Sequence, residues 1–284
     1  MEWSAVAETV RDVNQRFWKN KDIPYLTFRT TCNSTQSYKV HSHCELSIGI
    51  IESGETRLSL PNGNIVLKKG DIILIEPNIV HACNPVGNKP RSYHMLYLDD
   101  GWCCEVLSNI YGYEVTRYYC EQKLHTAIEG DDNLSGLIFK LLDQPSQSVV
   151  TEVESRLLNL VSRYCVPQTH NDDESELVGQ LRNRLLQDLA CAPSLEVVSQ
   201  EFGRPKETLI RLFKKQLGIT PKSFLNNSRI EKAKILLKSG MNIVDVAAEV
   251  GFSDQSQLHR TFVNYTASTP RQYQQVTSIF DNNC

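Results

Sequence analysis

Val246-Ala247-Ala248-Glu249-Val250-Gly251-Phe252-Ser253-Asp254-Gln255-Ser256-Gln257-Leu258-His259-Arg260-Thr261-Phe262 repeats a pattern that the chain has already used once. Val197, Val198, Leu209, Arg211, Phe213, Thr220, Pro221 and Phe224 precede Val246, Ala247, Leu258, Arg260, Phe262, Thr269, Pro270 and Tyr273 by a constant 49 residues. Matches of this kind at one offset define a duplicated unit, and two copies are too few for a solenoid. The stretch from Leu195 to Tyr273 therefore organises the reading of the rest.

Each copy predicts a helix, a tight turn and a second helix. In the first, Leu195, Val198 and Phe202 share an apolar face, Gly203 permits the turn, and Pro205 suits the start of a helix burying Leu209, Leu212, Phe213 and Leu217. In the second, Ile243, Val246, Ala247 and Val250 face inward, Gly251 turns the chain, and Asp254 with Gln257 forms a capping box for a helix burying Leu258 and Phe262. Between them Thr220-Pro221 opens a longer helix carrying Phe224, Leu225, Ile230, Ala233, Leu236 and Leu237, which Gly240 stops. Two such units on one rod, with reading helices about 34–36 Å apart, would enter successive major grooves of double-stranded DNA.

Leu209-Ile210-Arg211-Leu212-Phe213, Gly218-Ile219-Thr220-Pro221, Arg229-Ile230-Glu231-Lys232-Ala233, the Gly251 to Ser256 run and Thr269-Pro270-Arg271-Gln272-Tyr273 together resemble the DNA-binding domain of AraC-type (AraC/XylS) transcription regulators. The chain departs from that pattern at Val263 and Ala267, where the family usually carries Lys and Gly. Carried over by position, the resemblance implies that Glu207, Ile210 and Arg211 face the groove from the first reading helix, and Gln255, Ser256, Gln257 and Arg260 from the second. Arg suits guanine, Gln adenine and Glu the cytosine amine, while Ile210 offers only apolar contact. Lys206, Lys214 and Lys215 are expected on phosphates.

Charge supports this division. The net charge is −3, yet residues 194–284 hold 12 Lys/Arg against 8 Asp/Glu and the preceding residues hold 18 against 25. A modestly basic unit beside an acidic one leaves shape and base contacts to supplement phosphate neutralisation. Nine cysteines without a Cys-x-x-Cys pair are expected as reduced thiols in a cytoplasm. Neither a signal peptide nor an apolar run near 18 residues is read, so no membrane partner is expected.

The N-terminal part has a different rhythm. Val6, Val10, Val13, Phe17 and Trp18 suggest a short amphipathic helix within Met1 to Trp18. Thereafter Leu46 to Ile51, Thr56 to Leu60, Ile65 to Leu67, Ile72 to Ile75 and Tyr93 to Leu98 alternate with turn-forming runs such as Pro61-Asn62-Gly63-Asn64. Short strands with frequent turns predict an antiparallel barrel or sandwich. His41-Ser42-His43 followed by Gly70-Asp71, Pro77, His81 and Asn84 resembles the cupin-like barrel with which AraC-type regulators sense ligands, and the run from His81 to Pro85 with Tyr93 to Tyr97 resembles a branch associated with amino-acid exporters.

Strand alternation places His41, His43, Glu45 and Ser47 on one face, with His81 joining them if that face looks inward; Arg57, on a neighbouring strand, is either a carboxylate clamp or, as the favoured reading, a solvated surface arginine. The favoured role for these residues is binding an organic effector. His41, His43 and His81 are also metal candidates, since imidazoles suit zinc, iron, nickel or copper, but enzymatic cupins add a Glu where Ser47 stands, so no cofactor and no catalysis are expected.

The resulting reading is a two-domain α+β chain. Residues 1–168 form a cupin-like effector-binding domain, with a barrel at about 25–100 and helices at about 101–166; 169–176 are the linker and 177–284 the all-α double helix-turn-helix domain. The stripes Leu134, Leu137, Ile138, Leu141, Leu142 and Val150, Val153, Leu157, Leu158, Leu160, Val161 are packed helices or a homodimer surface. Function follows as an effector-controlled transcription regulator, with the resemblance leaning to activation and hence to RNA polymerase as a partner. The rivals are a metal-dependent cupin enzyme or metal sensor fused to a DNA-binding module, and a regulator whose barrel only binds partners.

Overall fold

The computed structural model describes residues 15–19, 22–125, 134–144, 146–168 and 176–275. Strands β1 (Gln15–Trp18), β2 (Leu26–Ser34), β3 (Leu46–Ser53), β6 (Ile72–Ile75), β8 (Arg91–Leu98) and β10 (Leu124–His125) form an antiparallel sheet in the order β1-β2-β8-β3-β6-β10. A second sheet, β5-β4-β7, joins β4 (Thr56–Leu60), β5 (Gly63–Leu67) and β7 (Ala82–Pro85), and β9 (Tyr118–Cys120) pairs with β11 (Cys165–Pro167). Of the expected antiparallel barrel or sandwich, the two facing sheets are the sandwich form; among the described residues no ladder closes them into one barrel.

Period-two alternation explains the layering. From β3, Ile48 and Ile50 pack with Leu107, Leu137 and Val153 beneath helices α1 (Asp100–Tyr111), α2 (Leu134–Asp143) and α3 (Gln147–Tyr164). Ile51, on the other face, joins Leu58 and Leu67 of the small sheet with Tyr93 and Met95 of β8. Asp99 starts α1 by accepting from Trp102 N at 3.0 Å, a terminus that the sequence reading left unassigned. At the start of the chain the expected helix is not found over its last residues: Gln15–Trp18 is a strand, with Phe17 paired to Arg29 and Trp18 to Phe28, and residues 1–14 lie outside the described residues. Neighbouring strand edge outweighs helical spacing in so short a piece.

The C-terminal part contains α4 (Glu176–Leu186), α5 (Leu195–Glu201), α6 (Lys206–Leu217), α7 (Pro221–Lys238), α8 (Ile243–Glu249), α9 (Gln255–Thr266) and α10 (Pro270–Gln275). Residues 169–175 of the expected linker lie outside the described residues, and Glu176, its last, already begins α4. The two copies bury matching residues: Val198, Leu209 and Phe213 in one core, Ala247, Leu258 and Phe262 in the other, whereas Val246 is buried and its counterpart Val197 is exposed. Thr220 caps α7 through Ser223 N at 3.2 Å, and Asp254 caps α9 through Gln257 N at 2.7 Å. The turn glycines differ, since Gly203 (φ +59°) faces open space while a Cβ at Gly251 (φ +85°) would stand 2.5 Å from Ala190 O. At Ala267 the chain adopts φ +52° to end α9 without the glycine usual there.

The helical part docks on the sheets. Lys39 N donates to Asn264 O at 2.9 Å, Arg29 Nη1 to Thr266 O at 2.8 Å, and Phe17 meets Tyr273 edge-on at 5.6 Å between ring centroids.

Candidate functional site

The docking closes a pocket. Its walls come from both sheets, including Arg29, Gly49, Ile51, Leu67, Tyr93 and Tyr97, from Tyr38 between β2 and β3, and from α7, α9 and α10 and the turn between the last two through Lys234, Tyr265, Thr266, Ser268 and Tyr273. It encloses about 50 Å³.

His41, His43 and His81 converge in it. A backbone bridge pairs His41 with His81, each N–H donating to the other's carbonyl at 2.9 and 2.8 Å. His41 Nε2 lies 3.1 Å from His43 Nε2, and the donor nitrogens of the three rings lie within 4.8 Å of one another. All three rings are buried, and burial first, then the neighbouring rings, pushes the pKa of His41 well below the ordinary value. Burial and then the Lys234 charge do the same for His43, and burial lowers His81. The three imidazoles are neutral at pH 7 and can accept a proton, a hydrogen bond or a metal.

Charged groups surround them. Arg29 is buried beneath Thr266 O, its guanidinium carbon 5.5–5.8 Å from the ring centroids of Tyr38, Tyr93 and Tyr97. Tyr38 and Tyr93 share a short hydroxyl hydrogen bond. Arg91, also buried, donates to Cys83 O at 2.8 Å. From α7, the buried Lys234 pairs with Glu231 at 2.8 Å and lies 3.9 Å from Glu45 Oε2. Burial opposes the Lys234 charge, but Glu231 and Glu45 outweigh it and raise its pKa well above the ordinary value.

Of the residues expected to bind effector, His41, His43, Glu45 and His81 line the pocket. Ser47 is buried on the expected face but does not line it, and Arg57 is exposed on β4, away from it. Arg29, Tyr38, Arg91, Tyr93, Tyr97 and Lys234 were not anticipated. Tyr93, Met95 and Tyr97 share one face by alternation, and Arg29 stands opposite Met95, which is the signal that could have found them.

In the helical part, Lys206, Glu207, Arg211, Lys214 and Lys215 are exposed along α6, with Ile210 half-buried, and Gln255, Ser256, Gln257 and Arg260 are exposed along α9. Lys206 lies 3.3 Å from Glu196. Gln257 Oε1 accepts at 2.8 Å from the N–H of Ser253, the residue before the Asp254 cap, so the expected capping box closes one residue early and that side chain still holds the start of its helix. Each exposed row follows a glycine turn, at Gly203 in the first copy and at Gly251, 48 residues on, in the second.

Comparison with known proteins gives this arrangement its family. Residues 23–161 match the AraC-like ligand binding domain and residues 198–275 a helix-turn-helix domain. The chain belongs to the AraC-type transcription regulators. It combines their DNA-binding domain with their ligand-binding domain. This AraC-type chain is 27% identical over 226 residues to YbfI, an uncharacterised HTH-type transcriptional regulator of Bacillus subtilis, covering 78% of the one and 82% of the other. An uncharacterised HTH-type regulator of Haemophilus influenzae is 24% identical over 271 residues, covering 84% of this chain and 90% of its own. In fold, it resembles ToxT from Vibrio cholerae bound to (E)-4-(8-methylnaphthalen-1-yl)but-3-enoic acid, with a TM-score of 0.51 at 17% identity over 88% of this chain and 99% of that one. Another ToxT structure, bound to an unsaturated fatty acid, has the same TM-score at 16% identity, covering 88% and 94%. No described helix is long and apolar enough to cross a membrane.

Proposed function

We propose that this AraC-type regulator binds a small organic effector in the pocket between its sheets and its DNA-binding domain, and that the effector sets how α6 and α9 are presented to DNA. The observation that supports it is the shared wall: Lys234, Tyr265, Thr266, Ser268 and Tyr273 line the same cavity as His41, His43, Glu45 and His81. A ligand there touches both domains, so its affinity depends on their arrangement, which is what coupling requires.

Arg29 and Arg91 among tyrosine hydroxyls suit a carboxylate, consistent with an amino acid or related metabolite. ToxT, which shares the fold, is bound to carboxylic acids. Arg211 and Arg260 would read bases and Lys206, Lys214 and Lys215 would hold phosphates. The chain would act in a cytoplasm as a homodimer paired through α2 and α3, where Phe139 and Leu158 are exposed, and as a non-enzymatic activator it would meet RNA polymerase.

Thermal melting and DNA binding of the full chain against a panel of amino acids and small carboxylates test this. A ligand at 100 times its Kd stabilises by about 2.7 kcal/mol and should change DNA affinity in the same concentration range. A panel that moves neither quantity, or melting alone, would contradict the effector reading.

A further inference from the structure

The two exposed helices α6 and α9 end differently. In α6, Lys215 follows Arg211 by four residues and so continues the exposed row one turn further, with Lys214 beside it. In α9 the same offset of 49 residues puts Val263 and Asn264 at these places, both half-buried and uncharged. The second copy, although it presents Arg260, therefore has no cation in its last turn, where the first has two.

The sheet domain brings a cation to that end. Lys39, exposed in the segment between β2 and β3, donates its N–H to Asn264 O at 2.9 Å. This carbonyl is one of the last four of α9, which a helix leaves without partners in its own ladder. On its other side the Lys39 carbonyl accepts from His41 Nδ1 at 2.6 Å. The backbone of Lys39 is thus pinned between α9 and a pocket histidine. Its side chain starts beside the position that Lys215 occupies in the first copy.

We propose that Lys39 is a DNA-backbone contact supplied by the effector-binding domain: in the docked arrangement its ammonium holds the phosphate at the C-terminal end of α9 that Val263 and Asn264 cannot hold. The inference rests on the reading of α6 and α9 as DNA-contacting helices and does not depend on what the pocket binds. An ammonium on a flexible stem neutralises a phosphate without base preference, so Lys39 adds affinity and no sequence information. The contact is also conditional. Lys39 stands beside α9 only while the domains are docked, so undocking takes one phosphate contact from the second unit and leaves Lys214 and Lys215 to the first.

Binding of the full chain to a site selected from random sequence, and to random duplex DNA, would be measured by fluorescence anisotropy across a salt series. Lys39→Gln removes the charge and keeps the backbone N–H that docks on Asn264. It should weaken both DNAs alike and make the plot of log K against log salt shallower by about 0.9, the value of one phosphate contact. Lys39→Arg should keep the wild-type slope, and Lys39→Gln combined with Asn264→Lys, which returns the charge to α9 itself, should restore it. An unchanged slope in Lys39→Gln, or a loss confined to the specific site, would overturn the proposal; an unchanged slope with lower thermal stability would assign Lys39 to supporting the end of α9 instead. Lys214→Ala in the same series separates the two levels. A flatter slope there beside an unchanged one in Lys39→Gln sinks the Lys39 contact alone, whereas a wild type without salt dependence sinks the DNA reading of both helices.

Discussion

Asn227, midway along the helix that joins the two DNA-reading units, exchanges hydrogen bonds with the backbone of Ser42, the residue between two pocket histidines: Nδ2 donates to Ser42 O at 3.1 Å and Ser42 N donates to Oδ1 at 3.3 Å. The side chain is buried, and this peptide-like pairing fastens α7 to the pocket wall. Asn227→Ala should leave the half-buried donor and acceptor of Ser42 without their partners and cost about 1 kcal/mol of the docked arrangement. Small-angle scattering should show a larger radius for the variant, with both domains still folded; an unchanged radius would mean that the domains are held elsewhere.

Arg260 and Lys214 should separate base reading from phosphate holding. Arg260→Ala is expected to weaken binding to a specific site by about 1–3 kcal/mol, roughly 5- to 150-fold, and to relax preference at one base pair. Lys214→Ala should weaken specific and random DNA alike and flatten the salt dependence by about one phosphate contact. Filter binding across a salt series distinguishes them.

Neutral buried histidines set an acid limit on stability. His41, His43 and His81 have folded-state pKa values below the unfolded value near 6.5, so below that pH the unfolded chain binds more protons. Their contribution is complete above about pH 6.5 and is lost as the pH falls below it, by up to about 1.4 kcal/mol per pH unit for each ring. Urea unfolding from pH 7.5 to 5 should show this decline, and His81→Gln should make it shallower.

The two turn glycines predict unequal costs. Gly203→Ala faces open space and should cost about 1–2 kcal/mol for its left-handed backbone alone. Gly251→Ala adds a methyl 2.5 Å from Ala190 O and 2.7 Å from Ala190 Cα, so it should cost more and shift the 188–191 segment. Thermal unfolding of the two variants compares them directly.

The double helix-turn-helix was legible because its information is local: apolar spacing, the Thr220 and Asp254 caps and the glycine turns all lie within a few residues of what they specify. β3, β4 and β6 were legible for the same reason, and alternation placed His41, His43 and Glu45 on one face. What could not be read depends on distant partners. Phe17 and Trp18 fit helical spacing but pair with β2, and Ser47 shares the face of the pocket histidines yet does not line the cavity, while Arg57, exposed on β4, follows its favoured reading as a surface arginine. Lys234 looks like a surface lysine within α7 and is buried only because the sheets dock on that helix. The number of sheets and the roof of the pocket are likewise set by packing between parts far apart in sequence.

The most direct test of the central claim is selection of bound sequences from a random double-stranded DNA pool by the purified full chain. Two base-specific elements on one face of the duplex, about one helical turn apart, are predicted, with Arg211→Ala relaxing one and Arg260→Ala the other. Enrichment of a single short element, or of none, would contradict a chain that reads DNA with both copies of its duplicated unit.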